Sequence, residues 1–157
     1  MKIISFLFIC LIALGSCKQI DIYEKNENIP EQEWDYSFKP SYEFQITDTT
    51  SYYNIFIVLR HTDAYEYNNI WLNLSTKVPG DSVRSRNLQL ILGNDAEGWE
   101  GKGMSDIYEV RKLVTQRGPE RLSHAGTYTF SLSQVMRDNP LKHILSVGVR
   151  VEKVAMQ

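Results

Sequence analysis

Histidine is the residue type here that most often serves as a general base or a metal ligand, and the chain has three: His61, His124 and His143. None has a partner at the H-E-x-x-H spacing of a zinc site. Ser123 precedes His124, but no G-x-S-x-G turn surrounds it. We predict that the three histidines are surface or turn residues, and that the chain is not an enzyme. An active site would need paired carboxylates, or a nucleophile beside a base.

A glycine-rich segment, Gly101-Lys102-Gly103, has part of the composition of a phosphate-binding loop. A dinucleotide loop needs G-x-G-x-x-G, and a P-loop needs G-x-x-x-x-G-K followed by Ser or Thr. Asp106 instead places an anion where a phosphate would lie. The segment therefore predicts a bulge or a close backbone approach beside Trp99, and we expect no cofactor.

Oxygen-bearing side chains cluster at residues 93–98, where Asn94, Asp95 and Glu97 lie between two glycines. Calcium prefers such ligands, but the twelve-residue EF-hand spacing is absent. Asn, Asp and Gly are also the ordinary residues of a β-turn. We predict a turn and no metal site, with weak calcium binding as the alternative.

Three aromatic residues, Tyr65, Tyr67 and Trp71, lie close together among Asp and Asn residues. Exposed aromatic side chains of this kind hold sugars on β-sandwiches and form the strongest contacts of protein interfaces. The alternative is that the two tyrosines pin a loop over the sandwich edge while Trp71 packs under another strand. If the cluster is exposed, the sequence favours a protein partner over a sugar.

Charged residues also accompany a proline turn at residues 136–141, where Arg137 and Asp138 precede Asn139 and Pro140. Polar loop residues often serve recognition, so this pair is a candidate contact point. The simpler alternative is a turn in which Asp138 or Asn139 bonds to the nearby backbone.

These candidates must be positioned by a chain of 157 residues, which predicts one domain. The formal net charge of -2 excludes a generally basic, nucleic-acid-coating protein. Two cysteines are too few for a disulfide scaffold or a cysteine-based zinc site.

Residues 1–16 have the layout of a secretory signal peptide. Lys2 supplies the positive charge, an apolar run follows, and Gly15 and Ser16 are small residues before Cys17. The apolar run is too short to cross the roughly 30 Å hydrocarbon core of a bilayer. Its removal leaves 141 residues with 16 Lys or Arg and 19 Asp or Glu.

The segment Leu14-Gly15-Ser16-Cys17 resembles the bacterial lipobox, in which the cysteine thiol receives a diacylglyceryl group and cleavage makes that cysteine the first residue. Each buried methylene contributes about 0.8 kcal/mol, so two or three acyl chains hold a protein firmly on a membrane. Cys10 leaves with the signal peptide, so Cys17 has no disulfide partner. We predict that Cys17 is lipidated.

Residues 17–35 are acidic, with a net charge of -4 over residues 18–35, and show no clear period. We predict an extended tether there, with an edge strand around residues 20–23 as the alternative. The acidity argues against a second, electrostatic attachment to anionic lipid.

Residues 36–157 are predicted to form an antiparallel, jelly-roll-like β-sandwich. Apolar and polar residues alternate with period two at residues 42–47, 70–75, 128–133 and 147–152. Residues 53–60 are apolar on both faces, as expected of a central strand. A turn at residues 78–82 predicts a hairpin to residues 88–92, and residues 140–145 predict a connecting turn or short helix.

Three parts of the sequence resemble the gliding-motility lipoprotein GldH family. They are residues 59–72, the W-x-G-x-G-x-x-D-I-Y stretch at residues 99–108, and the C-terminal third at residues 126–152. The resemblance covers roughly residues 1–153. It implies a membrane-anchored accessory of gliding motility, tied to a protein secretion system of the same bacteria, and it offers no catalytic residues.

We therefore expect a lipoprotein of the cell envelope, held in a membrane by acyl chains, with the outer membrane favoured. It would contact other motility or secretion proteins, and no nucleic acid. The alternative is an envelope carbohydrate-binding module that uses Tyr65, Tyr67 and Trp71.

Overall fold

The computed structural model describes residues 22–115 and 117–154, except for the side chain of Lys102. Over these residues the chain forms fourteen β-strands and one short 3-10 turn, Pro30–Gln32, with no α-helix. A helix with the length and apolarity to cross a membrane is likewise not found in this part of the chain. The predicted signal peptide and Cys17 lie outside the described residues.

Two large antiparallel sheets account for most of the strands. Sheet one contains, in spatial order, β1 (Ile22–Asn28), β14 (Ile144–Val154), β4 (Tyr52–Thr62), β10 (Ile107–Leu113) and β9 (Lys102–Met104), with β11 (Glu120–Arg121) beside β4. Sheet two contains β3 (Ser41–Ile46), β12 (Gly126–Gln134), β5 (Asn69–Lys77) and β6 (Arg84–Ile91). Two small pairs complete the fold: β2 (Glu33–Trp34) with β13 (Leu141–Lys142), and β7 (Gly93–Asn94) with β8 (Gly98–Trp99).

The strand order is that of a jelly roll. Eight of the strands are long, and they can be numbered from first to eighth along the chain. In sheet one the neighbouring long strands are the first, eighth, third and sixth, and in sheet two they are the second, seventh, fourth and fifth. Successive strands therefore mostly alternate between the sheets, as in a double-sheet jelly roll. The predicted antiparallel, jelly-roll-like β-sandwich is confirmed.

The period-two pattern places the core between the two sheets. In β3 the residues Tyr42, Phe44 and Ile46 are buried while their neighbours are exposed, because successive side chains of a strand point to opposite faces. β4 is central in sheet one, as its apolar character predicted. The predicted hairpin between β5 and β6 is confirmed by their register, with Leu72 opposite Leu88.

One buried hydrogen bond joins the sheets through the core. The Tyr42 hydroxyl, on β3, donates to the Val147 carbonyl, on β14, at 2.6 Å. Burial raises the pKa of Tyr42, so the hydroxyl keeps its proton and remains a donor. This bond fixes the second sheet against the first near the start of β14.

The predicted tether over residues 17–35 is wrong for the described part of that segment. Residues 22–28 form β1, which pairs with β14 from Ile22–Glu152 to Asn28–Ser146. Glu24 on β1 forms ion pairs with Arg150 and with Arg111, and Lys25 pairs with Glu27. The acidic residues of this segment therefore belong to the sandwich, and the alternative of an edge strand describes them better.

Residues 140–145 form a turn rather than a helix. The Asn139–Pro140 peptide bond is cis, β13 follows, and His143 adopts a positive φ of 67° before β14 begins. Of the two alternatives for this segment, the connecting turn is correct.

Candidate functional site

The sandwich has two ends, which we call the base and the top. The base is where β1 begins and β14 ends, near Ile22, Tyr52 and Val154. The top is where β4 ends and β14 begins, near Thr62 and Ile144. Most of the predicted site residues lie at the top, on the loop before β5 and the loop after β12.

A buried amide holds the loop at residues 135–140 from below. Gln134 is almost fully buried, and its Nε2 donates to the Trp34 carbonyl at 3.2 Å and to the Asp138 carbonyl at 3.0 Å. Its Oε1 accepts a hydrogen bond from the Met136 amide at 2.8 Å. Because buried polar groups are costly unless paired, these three bonds define one loop conformation.

The same loop is held from its outer side by the segment that follows β2. The Tyr36 hydroxyl donates to the Met136 carbonyl at 2.7 Å, and the Tyr36 amide donates to Asn139 Oδ1 at 2.8 Å. Asn139 Nδ2 donates to Asp35 at 3.1 Å. The side chain of Asn139 therefore holds this turn against residues 35 and 36, more than 100 positions earlier in the chain.

Asp138 instead joins two loops. Its carboxylate accepts a hydrogen bond from the Tyr67 hydroxyl, 71 residues earlier in the chain. This bond is the main cause that raises the pKa of Tyr67. The loop before β5 and the loop after β12 are thereby connected at the surface.

Two grooves flank this connection. The first, of about 630 Å³, is lined by Trp71 and Met136 together with the polar side chains of Asn69, Asn87 and Arg137. The second, of about 450 Å³, lies toward Glu66, Lys142 and His143. Tyr67, Arg137 and Asp138 line both grooves, so the wall between them is made of predicted site residues.

Trp71 is the main exposed aromatic residue of the first groove, with 41% of its surface accessible. It lies on the outer face of β5, opposite Gln89 of β6. Its carbonyl accepts the Val135 amide at 2.9 Å, and its amide contacts Met136 Sδ at 3.2 Å. Trp71 is therefore next to Arg137 and Asp138 in space, and the alternative in which it packs under another strand is wrong.

Tyr65 is buried, whereas Tyr67 and Trp71 line the first groove. It is only 3% exposed, and its hydroxyl donates to the Asn69 carbonyl at 3.0 Å. Burial raises its pKa. Tyr65 packs edge-on against Tyr67, with ring centroids 5.7 Å apart, so it supports the site from beneath.

His61 contradicts the prediction that all three histidines are surface or turn residues. It is 0% exposed, on β4, and its ring packs against Trp99, Tyr65 and Tyr108 at centroid distances of 4.6, 5.6 and 5.7 Å. Nδ1 lies 2.8 Å from the Thr62 carbonyl and, facing a carbonyl, is the protonated nitrogen. Nε2 has no hydrogen-bond partner. Burial lowers the pKa of His61, so the ring is held neutral.

The signal that would have found His61 is its position in β4. Tyr53, Ile55, Ile57 and Leu59 are the inward residues, and His61 is the next in the same period. Its aromatic neighbours come from three other segments, which the spacing along the chain does not reveal. His61 and its aromatic neighbours form the support for the loop that carries Tyr65 and Tyr67.

The two other candidate loops have structural roles. A Cβ at Gly101 would lie 2.2 Å from the Glu109 carbonyl oxygen, and Gly101 has a φ of +96°, so this glycine is required by the close backbone approach predicted beside Trp99. At residues 93–98, Asn94 Oδ1 accepts the amides of Ala96 and Glu97 at 3.0 and 2.8 Å, which is a turn held by its own side chain. In residues 22–115 and 117–154, no three His, Cys, Asp or Glu side chains gather closely enough to hold a metal ion.

Comparison with protein families finds a match to the GldH lipoprotein family over residues 21–151. The chain is 30% identical over 156 residues to the gliding motility lipoprotein GldH homolog of Christiangramia forsetii, covering 94% of each chain. It is 25% identical over 154 residues to the gliding motility lipoprotein GldH of Flavobacterium johnsoniae, again covering 94% of each.

Among solved structures, a chain of tomato aspermy virus is similar at 9% identity, covering 99% of this chain and 95% of that one. The TM-score of 0.34 is too low to establish a shared fold.

Proposed function

This chain belongs to the GldH lipoprotein family, and from that premise we propose that it is an accessory of the gliding-motility machinery that acts by contact with other envelope proteins. It is anchored through acyl chains on Cys17, in the outer membrane, and its contact surface is the top of the sandwich. We further propose that its partners include components of the protein secretion system associated with that machinery.

The proposal of a partner contact rests on the surface at the top, which is rigid and combines apolar and charged side chains. Trp71 offers exposed apolar area, while Arg137 and Asp138 offer opposite charges on a loop held by Gln134 and Tyr36. Binding to a flexible surface costs free energy because its side chains and loops lose conformational freedom. A preformed loop avoids most of this cost. Trp, Tyr and Arg are also the residue types that most often dominate protein interfaces.

Complementation of a deletion strain tests this proposal. The chromosomal gene is removed in the bacterium that produces the protein, and surface spreading and secretion are measured with plasmid-borne variants. We expect the unaltered protein to restore both, and the double variant Trp71→Ala with Arg137→Ala to restore neither. Glu43→Ala with Gln45→Ala is the control, because both side chains are exposed on the outer face of β3, away from the top.

Normal spreading and secretion in the deletion strain would refute a role in the machinery. Full activity of the Trp71 and Arg137 double variant, at normal protein level, would refute the top as the contact surface. Cys17→Ser tests the anchor separately, since it should release the domain from the membrane fraction without unfolding it.

A second candidate function, binding of an envelope glycan, is favoured by the amide side chains around Trp71. Asn69 and Asn87 line the same groove, and Asn73 Nδ2 donates to Asn87 Oδ1 at 2.8 Å on the adjoining face of sheet two. Aromatic faces flanked by amides are suited to sugar rings. Glycan binding by the purified domain that is lost in Trp71→Ala would support this function, and the lack of binding to any envelope glycan would remove it.

A further inference from the structure

Most of the exposed large hydrophobic residues of the described chain lie at the two ends of the sandwich. Five lie at the top: Tyr36, Trp71, Ile91, Met104 and Val135. Three lie at the base, Ile22, Tyr52 and Val83, and the ninth, Leu113, lies opposite Phe56, five residues into β4. The top group includes the proposed contact surface, whereas the base group has no role in that proposal.

The base group is continuous with the outer face of sheet one. Tyr52 and Phe56 point to that face from β4, and Leu113 lies opposite Phe56 on β10. Arg121 lies opposite Tyr52. Arg84, the first residue of β6, follows Val83; 76% of its side chain is exposed, and it pairs with Asp81 at 2.8 Å. Apolar and cationic side chains are therefore mixed at the base.

The length of the preceding chain places the base near the anchor. Only five residue steps separate Cys17 from Ile22, and a fully extended chain spans at most about 3.6 Å per residue, or roughly 18 Å in total. β4, with 11 residues, spans about 36 Å from base to top. Lipid on Cys17 thus holds the base, and not the top, close to the bilayer.

We infer that the base of the sandwich docks on the lipid bilayer, with Ile22, Tyr52 and Val83 at the level of the headgroups and Arg121 directed at lipid phosphates. Tyrosine and aliphatic side chains favour this interfacial region, and cations beside them are attracted to phosphate. The inference rests on the lipid anchor of the proposed function. It deepens that function, because docking by the base points the groove at Trp71 away from the membrane.

The two broad faces of the sandwich are poorer lipid-binding surfaces than the base. On the outer face of sheet one, Arg150 pairs with both Glu24 and Glu152, and Arg111 pairs with Glu24 and Glu109. Opposite charges that already pair leave little attraction for lipid. The outer face of sheet two carries mainly hydroxyl and amide side chains, such as Ser75 hydrogen-bonded to Ser85 at 2.7 Å.

Fluorescence quenching in vesicles tests the docking. The lipidated full-length protein is reconstituted into vesicles of phosphatidylethanolamine and phosphatidylglycerol that contain a doxyl lipid labelled near the headgroup. Lipidation consumes the Cys17 thiol, so a single bimane is attached through Val83→Cys or, as the matched control, Met104→Cys. Both positions are exposed, at 59% and 84%, and they lie at opposite ends. We expect severalfold stronger quenching at position 83.

A second pair of variants shows whether the base side chains cause the orientation. Tyr52→Ser with Ile22→Ser should reduce quenching at position 83 toward that at position 104, whereas Trp71→Ser with Val135→Ser should leave it unchanged. Equal quenching at both positions in vesicle-bound protein would overturn the docking while leaving the anchor intact. Protein that fails to float with the vesicles would overturn the anchor and the docking together. Disulfide-linked dimers through position 83, without quenching, would assign the base to a second copy of the chain.

Discussion

The Tyr67 hydroxyl donates a hydrogen bond to the Asp138 carboxylate, and this bond links the loop before β5 to the loop after β12. The two residues are 71 positions apart in the chain, and together with Arg137 they form the wall between the two grooves. The shape of the top surface therefore depends on a contact between loops from different parts of the sequence.

Tyr67→Phe should loosen the loop at residues 135–140 without unfolding the sandwich. The hydrogen bond to Asp138 is lost, but those made by Gln134 and Tyr36 remain. We expect hydrogen exchange of the amides at residues 135–139 to become severalfold faster while exchange in β14 is unchanged, because local opening is independent of global unfolding. Tyr52→Phe serves as the control, and unchanged exchange in Tyr67→Phe would show that the bond does not hold the loop.

Tyr42→Phe should destabilise the whole sandwich. The variant removes the donor to the buried Val147 carbonyl, and an unsatisfied buried group costs about 1–3 kcal/mol of unfolding free energy. Urea denaturation measures the loss. Tyr128→Phe is the control, since the Tyr128 hydroxyl accepts only a longer bond of 3.3 Å from the His124 amide. A smaller loss for Tyr42→Phe than for Tyr128→Phe would argue against the link between the sheets.

Gly148→Ala should release β1 from the sandwich. A Cβ at this position would lie 1.9 Å from Asn26 Oδ1 and 2.5 Å from the Lys25 carbonyl oxygen, so β1 must move. Overpacking of this kind typically costs about 1–3 kcal/mol. Trypsin should then cut faster after Lys25, while cleavage after the exposed Arg84 keeps its rate. Adding Asn26→Ala to this variant should restore the slow cleavage after Lys25 only partly, because the contact with the Lys25 carbonyl oxygen remains. An unaltered cleavage rate after Lys25 in Gly148→Ala would contradict the close packing of β1.

His61 should make the stability of the fold depend on pH. Burial lowers the pKa of His61 below its ordinary value of 6.5 in the folded protein. At a pH near 6.5 the unfolded chain therefore binds a proton at this residue more readily than the folded chain does. Stability is therefore full above the unfolded pKa and decreases as the pH falls through about 6.5 toward the folded pKa.

The variant His61→Leu removes this contribution, whereas His124→Leu changes an exposed residue and serves as the control. Unfolding free energies measured in urea between about pH 7.5 and pH 5.5 should show a flatter slope for His61→Leu than for the unaltered protein. An identical slope in both would mean that His61 is not held neutral by the fold.

Much of the fold is predictable because β-strands with one buried face show their period directly. Tyr42, Phe44 and Ile46 mark β3, and the turn at residues 78–82 marks the hairpin of β5 and β6. The wrong prediction for β1 has a physical reason. β1 is an edge strand in which only Tyr23 packs against the core, through Phe44. Glu24 is paired with Arg150 and Arg111 from strands far along the chain, and Glu27 is paired with Lys25.

The candidate site is predictable only in part for a related reason. Trp71, Arg137 and Asp138 are recognisable as exposed polar and aromatic residues near turns, but their proximity results from the pairing of β12 with β5, in which Gln134 lies opposite Leu72. The spacing of residues along the chain reveals neither the burial of Tyr65 nor the hydrogen bonds by which Gln134 holds the loop at residues 135–140. Both depend on residues from other parts of the chain: Trp99 packs against Tyr65, and the Trp34 carbonyl accepts from Gln134.

Site-specific photo-crosslinking in living cells tests most directly whether the top of the sandwich contacts a protein partner. A benzophenone side chain is introduced at Gln89, which lies opposite Trp71 on the same face, or at Tyr52 at the base. We predict a discrete protein adduct from position 89 that disappears in Trp71→Ala, and no such adduct from position 52. The absence of an adduct at position 89, or the same protein adduct from both positions, would contradict the account.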